Sequence, residues 1–538
     1  MTDTPQTGDA PPLNSGLGIV KPLILLLVSA GAGALSALKL GLGLVPGAII
    51  AISIFGVSLF SMIKLRGAPR EMGFTFGLKL LSVTAYKVLN VTLVLWLAND
   101  LGFNHENALR LVVVWAIIMS VATLLAGSIT DALGLRRTLL IGVSLCVLTR
   151  LVMVVSPNAT VALVCGLFPL AIGEALCTPV LVAALRRFSS TSQRSVAFSV
   201  FYAIMNFGFM VGYFVFDGVR GGIDGNGLIH LPFLNGGISA YRTLLLVSML
   251  IEVLMIPLIL LIRARAEVTE NGLVITEEVV KYADQGFFST VISTVRDAAL
   301  ETVRLFANLV KYPGFYRLLT FLLFIGFLKV VFNVMDYVLP PFAILELGAS
   351  AGVGRLNAIN GIVIMVLAPM VGILTQRYSA YSMVILGGFI TAFSFIFLVL
   401  PPDAFQGMAD GWLGNAIGHG YLELKGAVHP YYVMIAFWQI LFSVGEAFYS
   451  PRVYEYASSI APKGQEASYA SLSYVPLLIG KLITGAALGG LLTRYCPAEG
   501  ERNPGMMWLI IGLMVLVAPV GLLVFKRYIR VKEVGRED

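Results

Sequence analysis

Long apolar runs broken by short polar turns fill this chain. Each run is close to the ~20 residues a helix needs to cross the hydrocarbon core of a bilayer. They recur at about 21–42, 44–64, 76–98, 108–130, 137–156, 159–185, 195–217 and 241–263, then at 316–339, 351–374, 380–401, 430–456, 467–493 and 506–525. The pattern predicts an all-α membrane protein with about fourteen spans, or twelve preceded by an extra pair. Only Lys39 and the Gly41–Gly43 stretch separate the first two runs, so these are either two full spans or a re-entrant hairpin. The parity of everything downstream is the same in both cases.

The breaks carry the basic residues. If every run crosses, Lys64, Arg66 and Arg70, Arg136 and Arg137, Arg186, Arg187 and Arg194, Arg263 and Arg265, Arg377, Lys463, and Lys526, Arg527, Arg530 and Lys532 all fall on one side. The positive-inside rule makes that side cytoplasmic, together with both termini, in a plasma or bacterial inner membrane. Residues 1–18 are polar and free of basic residues, so they read as a disordered tail and lack the charged start of a signal peptide. The expected division is a tail at 1–18, an extra helix pair at 19–70, a six-helix bundle at 71–265, a cytoplasmic linker at 266–315, a second six-helix bundle at 316–527 and a cytoplasmic tail at 528–538. In the linker, Phe288, Val291, Val295, Ala299, Val303 and Phe306 fall near one helical face, with Arg296, Asp297, Glu301 and Arg304 elsewhere. Such a helix lies along a membrane surface. The longest outward loop, 403–429, holds His419 and His429 with only Glu423 as a carboxylate between them, which favours a solvated loop over a metal site.

Composition removes whole classes of function. Charged residues make up 12% of the chain, against about 25% in ordinary globular proteins, too few to keep a soluble surface wet. The net charge of +7 sits in short clusters at alternate segment ends, which excludes nucleic acid as a partner and leaves membrane lipid. Cys146, Cys165, Cys177 and Cys496 form neither a disulfide framework nor a zinc spacing. No phosphate-binding Gly-rich loop, catalytic constellation or cofactor motif is present, so the chain reads as a non-enzyme without cofactor or metal, powered by an ion gradient.

The turn Gly127-Ser-Ile-Thr-Asp131-Ala-Leu-Gly134-Leu-Arg136-Arg137 resembles the loop between the second and third core helices of major facilitator superfamily transporters. The resemblance implies a major facilitator fold in which Gly127, Asp131, Gly134 and Arg136 form a cytoplasmic gate; Ala132 and Leu135 stand where that family usually has basic residues. A degenerate second copy, Gly372-Ile-Leu-Thr-Gln376-Arg377, supports two related halves. Phe201-Tyr202-Ala-Ile-Met-Asn206-Phe-Gly208 resembles the fifth-helix signature of proton-dependent oligopeptide transporters, and Gly445-Glu446-Ala-Phe-Tyr-Ser450-Pro451, followed by Ala461-Pro462, resembles their tenth core helix. That branch also carries a first-helix Glu-x-x-Glu-Arg cluster, here replaced by Ser82 and Val83 at its last two positions. Its fourth-helix lysine is replaced by Thr178.

Polar residues inside apolar runs are the remaining chemistry. A charge at the bilayer centre costs at least ~2.5–3.5 kcal/mol, so such residues face the bundle interior or water. Lys87 and Asn90 share a face, as do Glu174 and Thr178, and Tyr202 and Asn206; Lys329, Asn333 and Asp336 form one stripe and Gln439, Glu446 and Tyr449 another. These are the candidate substrate and coupling residues, with Glu446 or Glu174 carrying a proton and Lys87 or Lys329 meeting an anionic or zwitterionic substrate. Arg150, Asn360 and Lys481 read as structural pairs or interhelical glue. The expected function is proton-coupled secondary transport of a small organic solute, peptide-like or an organic anion. The alternatives are an exporter or facilitator of amphipathic compounds and a non-transporting sensor or structural partner with the same fold.

Overall fold

The computed structural model describes residues 67–190, 194–222, 237–263, 266–269, 272–275, 313–348, 350–375, 377–459, 475–483, 487–497 and 499–530, with Leu65 and scattered positions in 289–311. The expected helix pair of 19–70, apart from its last residues, lies outside the described residues. So do the N-terminal tail and most of the C-terminal one.

Twelve core helical segments follow one another. We number them α1 (Arg70–Asn99), α2 (His105–Leu133), α3 (Leu135–Val155), α4 (Ala159–Arg187), α5 (Arg194–Gly222) and α6 (Ala240–Leu261). The second set is α7 (Pro313–Leu347), α8 (Val353–Leu374), α9 (Ala380–Val399), α10 (Pro430–Ser459), α11 (described as Val475–Ile483 and Gly489–Tyr495) and α12 (Pro504–Val524). Ten helices among the described residues are long and apolar enough to cross a membrane. The 133–135 turn marks one face of the bundle, where Gly134 sits at φ +83°; the turn after α7 marks the opposite face, where Gly348 sits at φ +89°. Positive φ at both turns is a conformation in which a side chain would be strained.

Packing repeats with a period of six helices. In the first half α1 packs on α5 and α6, α3 on α4 and α6, and α2 on α4; in the second half α7 packs on α11 and α12, α9 on α10 and α12, and α8 on α10. The halves meet through α1 with α7, α2 with α11 and α5 with α8, which are also related by that repeat. Small residues set these approaches, because apolar helices in lipid gain chiefly by close contact. A Cβ on Gly208 of α5 would meet the Val83 side chain of α1 at 2.3 Å, and one on Gly445 of α10 would meet Thr391 Oγ1 of α9 at the same distance.

Two elements differ from the sequence pattern. The apolar run expected to end at 339 continues to Leu347, because a π turn over Val334–Val338 resets the helix and places Pro340 and Pro341 in the first turn of the segment beyond it. There a missing N–H costs nothing. The linker begins with a hairpin, Ala266–Thr269 (β1) paired antiparallel with Gly272–Ile275 (β2), too short for hydrophobic periodicity to reveal. Farther on, Ser289, Arg296, Leu300, Arg304 and Ala307 are helical and exposed; the expected apolar face of this helix lies outside the described residues.

Candidate functional site

Lys87 and Asn90, three residues apart on α1, both reach Asp336 in the π turn of α7. The Lys87 ammonium donates to Asp336 Oδ1 and Oδ2 at 3.0 and 2.9 Å, and the Asn90 amide donates to Oδ2 at 3.3 Å. Tyr213 of α5 donates its hydroxyl to Asp336 Oδ1 at 2.8 Å, and Tyr337 donates to Asn90 Oδ1 at 2.8 Å. Lys87 also lies over the Phe209 and Tyr213 rings, at 4.6 and 4.9 Å from their centroids. All of these polar residues are buried. A π turn widens the helix locally and is common where side chains must be aimed at a site. One carboxylate on the second half is thus held by three donors on the first half.

On the second half, Gln439 donates to Asn357 Oδ1 at 2.7 Å, and Asn357 donates to the Met335 carbonyl at 2.7 Å, just before the π-turn aspartate. Asn360 donates to Glu446 Oε2 at 2.8 Å and to Ser443 Oγ at 2.9 Å. Lys329 donates to Ser450 Oγ at 3.5 Å and lies over the Tyr449 ring, 5.2 Å from its centroid, while Asn333 is buried between Lys329 and Asp336 along α7. Both Lys329 and Lys87 stand close enough to Glu446 to act on it electrostatically. The two stripes of α7 and α10 read from the sequence therefore occupy one polar layer, joined by amides from α8.

Glu174 goes elsewhere. Its carboxylate accepts from Arg150 at 2.5 Å, and Arg150 also donates to Glu252 of α6, all within the first half. Asn206 donates to the Tyr202 carbonyl one turn back on its own helix. Lys481 of α11 places its Nζ over the Trp115 ring of α2, 4.8 Å from the centroid, with no hydrogen-bond partner among the described residues.

Lys329 and Asp336, on one stripe of α7, do not pair, since Asp336 is taken by Lys87 across the halves. Arg150 forms the structural pair the sequence suggested, bonded to carboxylates on two neighbouring helices. Gly127 mediates no close approach, because a Cβ there would meet nothing within 4 Å. Of the remaining gate residues, Gly134 makes the turn and Arg136 is half-buried beside it, and the Asp131 side chain lies outside the described residues. The sequence reading missed Tyr213, Glu252 and Asp217. Tyr213 lies seven residues after Asn206, on the same face; Glu252 is a lone charge in an apolar run, the signal that picked out Glu446.

The halves also close at the Gly348 face. Asp217 of α5 accepts from the Gly354 and Arg355 backbone N–H groups at the start of α8, at 2.8 and 2.6 Å. These are donors that a helix N-terminus leaves unsatisfied. Arg355 continues to the Leu422 carbonyl at 3.0 Å and Glu423 at 3.0 Å in the 403–429 loop. The cross-half bonds named here all lie between the Asp336 level and this face.

Residues 75–422 match the family model described as Major Facilitator Superfamily. Among solved structures, a POT family transporter in complex with 5-aminolevulinic acid is similar at TM-score 0.61 and 16% identity, over 86% of this chain and 97% of that one. A POT family transporter in complex with a thioalcohol-conjugated peptide is similar at TM-score 0.61 and 17% identity, over 87% and 98%. The peptide transporter POT in complex with alafosfalin follows at TM-score 0.61 and 16% identity, over 86% and 95%. No curated protein matches in sequence.

Proposed function

The chain belongs to the Major Facilitator Superfamily, and we propose that it carries a small organic solute across the membrane by alternating access, coupled to protons. The observation behind this reading is the buried Lys87–Asp336 bridge, whose partners sit on helices of opposite halves. For the halves to part at the Gly348 face, that bridge has to break, and a proton on Asp336 breaks it. The carboxyl is then neutral, and Lys87 is free to meet an anionic group of the solute. Glu446, held by Asn360 and facing Lys329, is the second acid of the cycle and the partner for a cationic group. Tyr202, Asn206, Asn333, Gln439 and Tyr449 complete the solute's surroundings in this reading, and Gly127, Asp131, Gly134 and Arg136 form the gate on the other side.

The greater number of Lys and Arg at the Gly134 face supports a cytoplasmic location for it. The described arrangement is then the one sealed toward the outside. The similar structures hold 5-aminolevulinic acid, a conjugated peptide and alafosfalin, which supports a zwitterionic or peptide-like solute here. Thr178, Ser82 and Val83 leave out charges of the peptide-transporter pattern, so organic anions belong in the same test. Purified protein in proteoliposomes, offered peptides, amino acids, organic anions and drugs with and without a pH gradient, should accumulate at least one class only when the gradient is present. Equal uptake in both conditions for every bound solute would remove proton coupling.

A further inference from the structure

Arg150 of α3 is the meeting point of a second polar centre, bonded to none of the cross-half bridge residues and unused by the transport reading. Its guanidinium donates to Glu174 of α4 at 2.5 Å and to Glu252 of α6. The three side chains are 0%, 3% and 2% exposed. An oxygen of each carboxylate and the Cys146 sulfur lie within 4.8 Å of one another. We propose that this centre is a proton-binding site, in which Glu174 and Glu252 share one proton at neutral pH around a permanently charged Arg150.

Counting charge gives the reason. One guanidinium with two carboxylates leaves a net negative charge in a site without water contact, and burial of an uncompensated ion costs several kcal/mol. Two carboxylates this close also disfavour ionising together. One proton makes the centre a neutral ion pair, held through Arg150 Nη1 and Nη2. The groups that face it from the packed helices do not replace that proton. Cys146 on α3 is in contact with Cys177 on α4, and neither thiol nor the Tyr86 phenol on α1 brings a positive charge. Lys481 on α11 acts on Glu174 only at a distance, with its Nζ on the Trp115 ring and bonded to neither carboxylate. A divalent metal is a poor occupant, because Arg150 takes up carboxylate oxygens and repels a cation.

Infrared spectra of the full-length protein in lipid test this, through the carbonyl stretch that only a protonated carboxyl shows. At neutral pH, the difference between wild type and Glu252→Gln should contain one such band, and Glu174→Gln should remove the same band, because the one remaining carboxylate then pairs with Arg150 as an ion. Both single variants should fold with melting temperatures near wild type, since glutamine keeps the charge count of a protonated glutamate. The double variant Glu174→Gln/Glu252→Gln should fold poorly, because it strands the buried guanidinium. Absence of the band from both differences overturns the proposal, as does failure of both single variants to fold. Loss of transport in a variant that keeps these signatures bears on the transport reading and not on proton occupancy.

Discussion

Replacing Asp336 with asparagine tests whether the Lys87 bridge holds the halves together. The substitution keeps one oxygen, which can accept from Tyr213 or from Asn90 but not from both in their present places, and it leaves Lys87 buried without its anion. Removing one partner of a buried pair costs about 3–5 kcal/mol. The isosteric amide with its one retained acceptor puts Asp336→Asn at the lower end, and about 3 kcal/mol shifts a two-state equilibrium by roughly a hundredfold. The shift is toward the state in which Lys87 reaches water. Spin labels on Asn107→Cys at the start of α2 and Thr493→Cys on α11 report it, in a background where the free cysteines Cys146, Cys165, Cys177 and Cys496 are replaced. In the described arrangement these helices touch where Gly489 meets Glu106. The wild type should give a short distance and Asp336→Asn a broad longer one. Lys87→Met added to Asp336→Asn should recover part of the short population, because the pair of substitutions buries no charge. A distance distribution unchanged by Asp336→Asn, or a double variant no better than the single one, would falsify the bridge as the element that holds the halves.

Glu446→Gln should abolish accumulation driven by a pH gradient while leaving counterflow partly intact, because the amide copies the protonated acid; full accumulation by a folded variant removes Glu446 from coupling. Asp217→Ala takes the acceptor from two N–H groups at the start of α8 and should cost about 1–2 kcal/mol, as for loss of a helix cap, read as faster labelling of cysteines placed beneath the α5–α8 contact. Cysteine substituted at Arg136 should resist an impermeant reagent added outside intact cells, whereas one at Asn104 should react; the reverse pattern inverts the topology. His429 accepts from the Tyr431 N–H at 3.3 Å and stacks on its ring, and partial burial lowers its pKa from the ordinary histidine value. The unfolded chain then binds the proton more readily, so His429 contributes stability above the unfolded pKa that is lost as pH falls through the folded one; His429→Gln should flatten the melting temperature between about pH 7 and 5, and an unchanged slope counts against this role.

The helical segments were legible because bilayer-spanning helices must satisfy their own backbone and so are written as long apolar runs. The faces were legible too: Lys87 with Asn90 on α1, and Lys329, Asn333 and Asp336 on α7, follow from helical spacing alone. What meets across helices was not. Nothing local in the sequence says that Asp336 turns to Lys87 and not to Lys329, because the choice depends on a π turn and on how α1 docks against α7. Arg150 and Glu252, 102 residues apart, look like isolated charges until α3 and α6 are brought together.

Lys87 and Lys481 both cross between the halves, and their energies are unequal. Lys87 meets a carboxylate, whereas Lys481 meets the Trp115 ring, on which Tyr86 stacks at 6.3 Å between centroids. A desolvated cation–π contact is worth about 2 kcal/mol or somewhat more, and an exposed one about 0.5–1 kcal/mol. Breaking the Lys481 contact therefore costs less than breaking the Lys87 bridge, so in the proposed cycle a proton on Asp336 releases the larger of these two terms, while the Asp217 bonds to the start of α8 still close the Gly348 face. Tyr86 and Lys87 are neighbours on α1, which ties the two contacts to a single helix. In that proposed cycle a proton on Asp336 loosens α1 from α7, and the Lys481–Trp115 contact is left with the α5–α8 bonds to hold the halves together.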